Sequence, residues 1–497
     1  MPLWPKIASS ATPLWQYARP VLVVAAYLLP VGLIIHAVTF WGRGIIDAEA
    51  MDFVLNYLQK RPLLAQIFDP QINDWGAYQA RELSYVFDLV DARVFATLLD
   101  RGIILFVPLS GVLGLVAFGG VFFVGARKVL GLSAPLTNLL LGLFLSCIVV
   151  QASTPILYRS SKIILSVALL GFLFYLVRLL TTPKAQVTWR GTSGLFILAV
   201  LMSLCDRQGF YYLISATAVV LMLFGFLQLH RPAPARDYLQ VCVALGGAIA
   251  AVVFYNRVFA PQLIYSLNGY WPNFTYQNLS WSTLLDPLLL ARAWLFFQQQ
   301  VSFFFGNIPF AILAAVALVT LLATLWKRSR ASNRRDFLIP LAIFLACLLA
   351  ILGLLAAMIA RHPAVYSVRD HSFWYYPLSL HVVFLFGLSV GWSYLCRGKL
   401  VRFSPALYAV ILVLIILNVR LYGQQRETMI AANGWFQGQH EHSRALVEQF
   451  ATAPPRRELL LAQTGDLFLN DQEHFLENVE RAYLHLTGAT TSNQKQP

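Results

Sequence analysis

The sequence predicts an all-α polytopic membrane protein with about eleven transmembrane helices, its amino terminus inside, its carboxyl terminus outside, and a helical first outer loop. Apolar runs long enough to cross a bilayer recur along most of the 497-residue chain. Charged residues make up 12% of the chain, about half of their share in soluble proteins. Lysine and arginine gather in alternate loops, and carboxylates gather in the others. These observations together predict both the class and the orientation.

The spans follow from the apolar runs, since a membrane helix needs about 20 apolar residues. The first span is predicted at 20–41, because no clean cleavage site for a signal peptide follows it. The span at 192–206 is short and ends at the polar run Asp206-Arg207-Gln208-Gly209. The other predicted spans cover 102–126, 133–150, 162–180, 209–229, 238–256, 304–326, 337–360, 377–396 and 404–421.

The orientation follows from the positive-inside rule, which places lysine and arginine in cytoplasmic loops. With Met1 in the cytoplasm, only two acids, Asp237 and Asp336, fall on the inner side. The basic residues on that side are Lys6, Arg19, Arg127, Lys128, Lys184, Arg190, Arg231, Arg236, Lys327, Arg328, Arg330, Arg334, Arg335, Arg397, Lys399 and Arg402. The net charge of +14 therefore reflects loops that face anionic lipid, and nucleic acid is not expected as a partner. We predict a multi-pass protein of the plasma membrane, here a bacterial inner membrane, whose chemistry faces the periplasm or exterior.

The domain organisation is predicted as a transmembrane domain at 1–421 and a small extracytoplasmic tail or domain at 422–497. The outer loop 41–101 is acidic and has helical character at 48–60 and 75–99. The outer loop 257–303 is rich in aromatic and amide residues. In the first loop, helical spacing puts five residues on one face, so this helix could lie in the membrane interface and roof a cavity. These residues are Asp74, Tyr78, Arg81, Glu82 and Tyr85.

The candidate acid–base residues are three carboxylates of the first outer loop: Asp47, Asp74 and Glu82. A carboxylate at the rim of a cavity is partly desolvated, and its pKa can be tuned for general-base work. Each has an alternative structural role. Asp47 and Asp74 suit a helix N-cap, and Glu82 can form an ion pair with Arg81. Asp52, Asp88 and Asp91 fit better on a solvated face.

Basic residues on the outer side oppose the positive-inside trend and suggest an anionic partner. An anionic lipid phosphate would offset them, with arginine as a fork and lysine as a point charge. The candidate phosphate-binding residues are Arg159, Lys162, Arg207 and Arg369. The alternative is pairing with nearby carboxylates. His371 lies in the run from Arg369 to Pro377 and has no second ligand at a spacing useful for a metal.

The order of these features resembles the GT-C superfamily of integral membrane glycosyltransferases. Asp47-Ala48-Glu49 looks like the acidic pair that follows the first helix in those enzymes. The stretch from Asp74 to Glu82 is similar to the second half of their first loop. Asp206-Arg207-Gln208-Gly209 resembles a polar turn between paired helices, and Arg369 to Pro377 resembles their Arg-aromatic-Pro opening of a late helix.

The resemblance implies transfer of a monosaccharide from a polyprenyl-phosphate donor to an acceptor hydroxyl at the outer face, with inversion. One of three carboxylates would act as the catalytic base: Asp47 is the first candidate, Asp74 the second and Glu82 the third. The acceptor would be a glycan, a lipid or a protein. Substrate-binding roles are implied for Glu49, Tyr78, Arg81, Asp206 and His371. Many members of the superfamily need no metal, but a loop this acidic is compatible with a divalent cation.

Two features depart from the superfamily. The acids are not adjacent, which leaves the base open, and no Trp-Trp-Asp motif is present, which speaks against an oligosaccharyltransferase. A carrier or flippase for lipid-linked glycans is the alternative function, and a structural subunit of an envelope assembly is a third. Transporters carry charges deep in their spans. Here polar groups gather at one rim, which favours surface chemistry.

Overall fold

The computed structural model describes residues 24, 26–37, 62–69, 78, 81–99, 109–153, 160–181, 188–230, 235–273, 287–306, 331–361, 377–397 and 408–421. Every regular element within these residues is helical. The helices are α1 (Ala26–Ala37), α2 (Leu63–Ile67), α3 (Glu82–Leu99), α4 (Leu109–Lys128), α5 (Ala134–Leu145), α6 (Ile148–Ser153), α7 (Ser160–Thr181), α8 (Trp189–Cys205), α9 (Arg207–His230), α10 (Ala235–Phe254), α11 (Ala260–Asn268), α12 (Pro287–Phe305), α13 (Ala331–Arg361), α14 (Leu378–Arg397) and α15 (Tyr408–Leu421).

Five helical segments of the described chain are long and apolar enough to cross a membrane. They lie in α4, α7, α9, α13 and the continuous run Tyr238–Asn268, which joins α10 to α11. The predicted spans at 162–180, 192–206 and 209–229 correspond to α7, α8 and α9. The predicted end at 256 is wrong, because a π-helical turn at Tyr255–Phe259 carries α10 on into α11. Such a turn absorbs an extra residue without ending the helix.

The span predicted at 133–150 is broken. α5 ends at Leu145 and α6 begins at Ile148. At the break, the backbone N–H of Cys147 donates a hydrogen bond to the carbonyl of Phe144, three residues earlier, at 3.1 Å. The Gln151 side chain donates to the Leu145 carbonyl at 2.5 Å. Asn418 of α15 donates to Ser146 Oγ at 3.2 Å. Irregular backbone at membrane depth requires such internal partners.

The centre of the bundle is α7, the most deeply packed of the five spans. It contacts α3, α4, α8, α13 and α14. In the membrane, helix association depends on close packing and not on exclusion of water, so small residues favour it. Gly125 of α4 illustrates this, because a Cβ there would lie 2.1 Å from the Phe174 ring of α7. A side chain carried by α7 is therefore held firmly in place.

Helix α3 lies over α4, α7 and α8 with its polar side turned inward. Asp91 Oδ1 accepts hydrogen bonds from Ser110 N at 2.8 Å and Ser110 Oγ at 2.9 Å, which joins α3 to the start of α4. Ser84 Oγ donates to the carbonyl of Cys205. The sequence-based placement of Asp88 and Asp91 on a solvated face is wrong, since both are buried. Val86 and Val90 are exposed instead, as expected for a helix in the interface.

The contacts between helices define two ends of the bundle. The polar end holds the start of α3, the start of α7, the α8–α9 junction, the end of α11 and the start of α14. The basic end holds the end of α4, the end of α7, the start of α13 and the end of α14. The helices α7, α8, α9 and α10–α11 thus alternate in direction, and so do α13 and α14. The polar end holds Arg81, Glu82, Lys162 and Asp206, which the sequence analysis expects at the outer face.

At the polar end, a single residue separates α8 from α9. α8 ends at Cys205, Asp206 is extended, and α9 begins at Arg207. Gly209 lies against the Met202 backbone, and a Cβ there would be 2.1 Å from the Met202 carbonyl oxygen. The obstacle is backbone and not a flexible side chain, so glycine is required for this close approach.

Gly209→Ala should therefore destabilise the protein by about 1–3 kcal/mol, the usual cost of overpacking. The control is Gly225→Ala on the same helix, where nothing lies within 4 Å of the added Cβ. Alanine at position 225 should be neutral or slightly stabilising. Thermal unfolding of both variants in one detergent measures the difference. Equal melting temperatures would show that the junction is looser than described.

Candidate functional site

A buried ion pair lies at the polar end of the bundle. Lys162 stands in the first turn of α7, and Asp206 stands immediately before α9. Lys162 Nζ donates to Asp206 Oδ2 at 2.6 Å, and the two residues are only 3% and 1% exposed. Charges as deeply buried as these persist only when they are paired and hydrogen-bonded.

Arg81 adds a second cation beside the same carboxylate. Its Nε lies 3.7 Å from Asp206 Oδ2, and Arg81 directly precedes α3. Burial favours the neutral form of Asp206, but the charges of Lys162 and then Arg81 outweigh it. They lower the pKa of Asp206 from 3.8 to about 2. Asp206 is therefore ionised across the physiological range and holds the two cations side by side.

Asp206 also organises the starts of two helices. Its Oδ1 accepts the Gln208 backbone N–H at 3.0 Å, which is the N-cap interaction of α9. The Gln208 side chain accepts from Ser379 Oγ at 2.7 Å, and Tyr212 donates to Ser379 Oγ at 2.9 Å. Because Ser379 stands at the start of α14, this chain of hydrogen bonds ties α9 to α14 next to the ion pair.

A second carboxylate, Glu82, follows Arg81 and has different surroundings. Tyr78 donates its hydroxyl to Glu82 Oε1 at 2.5 Å, and both residues are buried. Burial raises the pKa of Glu82 above its ordinary value, and the hydrogen bond from Tyr78 only partly opposes that shift. Burial and the neighbouring Glu82 raise the pKa of Tyr78 as well, so its hydroxyl stays protonated and acts as the donor. Glu82 is therefore a carboxylate tuned toward accepting a proton.

Three described residues ahead of Glu82, namely Phe68, Asp69 and Tyr78, contact the end of α11 and the residues that follow it. Asn268 donates to the carbonyl of Phe68 at 2.7 Å, and Tyr270 donates to Asp69 Oδ1 at 2.6 Å. The Tyr78 N–H donates to the carbonyl of Asn273 at 2.6 Å. The two predicted outer loops thus meet, and their contact positions Tyr78 beside Glu82.

The structure gathers five of the residues singled out in the sequence into this cluster: Tyr78, Arg81, Glu82, Lys162 and Asp206. Arg207 is the first residue of α9 and is half-buried. Six others lie outside the described residues: Asp47, Glu49, Asp74, Arg159, Arg369 and His371. The alternative pairing of outer basic residues with carboxylates holds for Lys162, whose partner is Asp206.

Sequence reasoning missed Ser379 and Tyr212. Tyr212 could have been found, because it lies four residues after Gln208 and therefore shares its helical face. Ser379 gave no such signal, since it opens an apolar helix 171 residues after Gln208. Within the described part of the chain, no group of three or more His, Cys, Asp or Glu residues is arranged to hold a metal ion.

The arrangement is suited to binding an anion. Two cations stand side by side where α7 and α9 begin, and a helix amino terminus carries partial positive charge. Guanidinium and ammonium groups are the usual partners of phosphate oxygens. Glu82, a carboxylate with a raised pKa, directly follows Arg81 in the chain.

The chain matches no protein-family model, and no curated protein matches it in sequence. Two similar solved structures are those of ArnT from Cupriavidus metallidurans, in the apo state and bound to undecaprenyl phosphate. The apo structure is 14% identical with a TM-score of 0.46, covering 95% of this chain and 76% of that one. The bound structure is 15% identical with a TM-score of 0.47, covering 94% and 77%. At this sequence identity and TM-score, the structural similarity assigns neither an activity nor a residue role to this chain.

Lys162→Met should cost about 3–5 kcal/mol of stability, because it leaves the buried Asp206 carboxylate with one partner fewer. Lys128→Met, at an exposed lysine of the basic end, is the control and should change little. Asp206→Asn should also destabilise, and the double variant should lose less than the sum of the two losses. Thermal unfolding measures each variant, and additive losses would contradict the pairing.

The same pair predicts a pH dependence of stability. The pKa of Asp206 is lowered in the folded state, so its contribution is complete above its ordinary pKa and is lost as pH falls toward about 2. Wild-type stability should therefore fall between about pH 4 and pH 2. The Asp206→Asn variant should lack this component of the fall.

Proposed function

We propose that this protein is a membrane glycosyltransferase that moves a monosaccharide from a polyprenyl-phosphate donor to an acceptor hydroxyl. The observation that carries the proposal is the meeting of Arg81 and Lys162 around Asp206, beside Glu82, at one end of a membrane helix bundle. Such a site offers cations for a lipid phosphate and a carboxylate for proton transfer. The order of sequence motifs that resembles the GT-C superfamily supports the choice of a sugar donor.

The cations would act on the leaving group. During transfer, the acceptor oxygen forms a bond to the anomeric carbon while the bond from that carbon to the phosphate oxygen breaks. The departing polyprenyl phosphate gains negative charge, and cations already held in place stabilise that charge without reorganising. Asp206 would serve as the positioning residue that holds Arg81 and Lys162 in place beside the phosphate of the donor. Arg159, Arg207 and Arg369 are proposed as further phosphate-binding residues.

The base would take the proton of the acceptor hydroxyl as that oxygen attacks, with inversion at the anomeric carbon. Asp47 is the first candidate and Asp74 the second. Glu82 is the third, and its buried setting beside Tyr78 suits this role because its raised pKa increases its affinity for a proton. Asp206 does not suit the role, since its lowered pKa leaves it almost no affinity for a proton at neutral pH.

The site is proposed to face the periplasm or exterior of a bacterial inner membrane, because the opposite end of the bundle carries the lysine and arginine clusters. The acceptor is a glycan, a lipid or a protein. A carrier for lipid-linked glycans would use a similar anion site. Incubation of the purified protein with radiolabelled polyprenyl-phosphate sugar separates the two functions. An enzyme transfers or releases sugar in detergent, whereas a carrier acts only across a sealed membrane.

Asp47→Asn should abolish transfer while leaving expression and thermal stability nearly unchanged. The change keeps the size of the side chain and removes the base, which should cost about 10²–10⁴ in rate. Asp52→Asn in the same loop is the control and should stay active. If Asp47→Asn is active and Asp74→Asn or Glu82→Gln is inactive, the base is reassigned. Full activity in Asp47→Asn, Asp74→Asn and Glu82→Gln would contradict the proposed acid–base mechanism.

Arg81→Ala should weaken donor binding about tenfold, the effect of one lost charge-assisted hydrogen bond. Arg81→Lys should recover part of the affinity, because an ammonium cannot make the bidentate fork. Arg93→Ala, at an exposed arginine within α3, the helix that Arg81 directly precedes, is the matched control. The measurement is donor titration of all four proteins in one detergent. Equal donor affinity in Arg81→Ala and Arg93→Ala would assign Arg81 to structure alone.

A further inference from the structure

A polar cavity lies at the basic end, the opposite end of the bundle from the proposed catalytic site. It has a volume of about 210 Å³ and opens between the turn after α4, the end of α7, the start of α13 and the end of α14. Its walls include Leu130, Val177, Thr181, Pro340 and Tyr394. The proposed mechanism of sugar transfer does not involve these residues.

Tyr394, one of the residues that line the cavity, has a buried hydroxyl group without a hydrogen-bond partner among the described residues. The Tyr394 residue is only 6% exposed, and its ring stacks on Phe337 with centroids 4.3 Å apart. The neighbouring hydroxyls are satisfied, since Ser393 donates to the Leu130 carbonyl and Thr181 donates to the Val177 carbonyl at 2.8 Å. A buried hydroxyl without a partner is costly, so a bound acceptor would stabilise Tyr394.

Two backbone features shape the walls of the cavity. Pro340 lies inside α13, where its ring replaces a backbone N–H and prevents regular packing of the preceding turn. Gly131 turns the chain after α4 with a φ of +72°, a left-handed conformation that glycine adopts without strain. The Leu130 carbonyl is then held by Ser393 of α14, which fixes the turn at the edge of the cavity.

The helix ends around the cavity are strongly basic. Arg127 and Lys128 stand in the last turn of α4, and Arg178 stands in the last turn of α7. All three are exposed. Arg334 and Arg335 occur early in α13, and Arg397 ends α14, with Asp336 as the acid among them. Basic pockets between transmembrane helices on the cytoplasmic side are a recurring site for anionic lipid headgroups.

We propose that this cavity binds the phosphate-bearing headgroup of an anionic glycerophospholipid from the surrounding bilayer. The Tyr394 hydroxyl donates a hydrogen bond to the headgroup, and the basic helix ends attract its charge. The apolar residues of the wall, Val177 and Leu130 among them, cover the adjoining glycerol and upper acyl carbons. This site is separate from the proposed transferase site, so either can fail without the other.

The experiment measures lipid binding to the delipidated full-length protein in detergent, without sugar donor. Phosphatidylglycerol and phosphatidylcholine with identical acyl chains are titrated separately, and sn-glycerol 3-phosphate forms a third arm. Phosphatidylglycerol should bind in preference to phosphatidylcholine. Tyr394→Phe should weaken that binding about tenfold. Tyr265→Phe, at an exposed tyrosine of the polar end, is the matched control and should bind as the wild type does.

A double variant, Arg127→Gln with Lys128→Gln, provides a second measurement if Tyr394→Phe fails to fold. It should weaken phosphatidylglycerol binding and reduce its dependence on salt. Equal binding of the two lipids would overturn the proposal, because the site would then select acyl chains. Unchanged affinity in Tyr394→Phe would overturn it as well. Binding of sn-glycerol 3-phosphate as tight as that of the lipid would assign the site to a soluble phosphate instead.

Discussion

The arrangement of the polar end depends on the ion pair between Lys162 and Asp206. Desolvation penalises both charges, and the 2.6 Å contact is what makes their burial tolerable. Lys162 belongs to the central helix of the bundle, and Asp206 belongs to an extended break between two others. The pair therefore fixes α7, α8 and α9 relative to one another at one end. Arg81 reaches the same carboxylate, so the start of α3 is positioned by it too.

The two ends of the bundle differ in whether their charged side chains are buried or exposed. At the polar end, Lys162 and Asp206 are buried together and Arg81 is half-buried beside them, which restricts the motion of all three side chains. At the basic end, Arg127, Lys128 and Arg178 are exposed, where they can meet anionic headgroups. Rigid buried cations suit the stabilisation of charge that develops during a reaction. Exposed cations on flexible side chains suit long-range attraction to a membrane surface.

The sequence predicted those elements whose signals are local. Apolar runs and alternating charge located α7, α8 and α9, and the polar run Asp206 to Gly209 marked the junction where the site lies. Features that depend on distant partners were not predictable. The helix break at Ser146 and Cys147 falls within a long apolar stretch of the sequence. Asn418, which donates a hydrogen bond to Ser146 at this break, comes 272 residues later in the chain. Asp91 was misplaced because its partner, Ser110, belongs to the next helix, and helical periodicity cannot reveal that contact.

The two carboxylates of the cluster show how one site can separate structural and chemical roles. Both are buried, and burial alone would raise both pKa values. Asp206 has two cations beside it, and its pKa is lowered to about 2, so it stays charged and orients its partners. Glu82 has a tyrosine hydroxyl instead, and its pKa is raised. Carboxylates whose surroundings separate their pKa values in this way commonly divide acid–base work from electrostatic work. Under the proposed function, Glu82, Asp47 or Asp74 would carry out the proton transfer, while Asp206 would hold the cations that meet the phosphate.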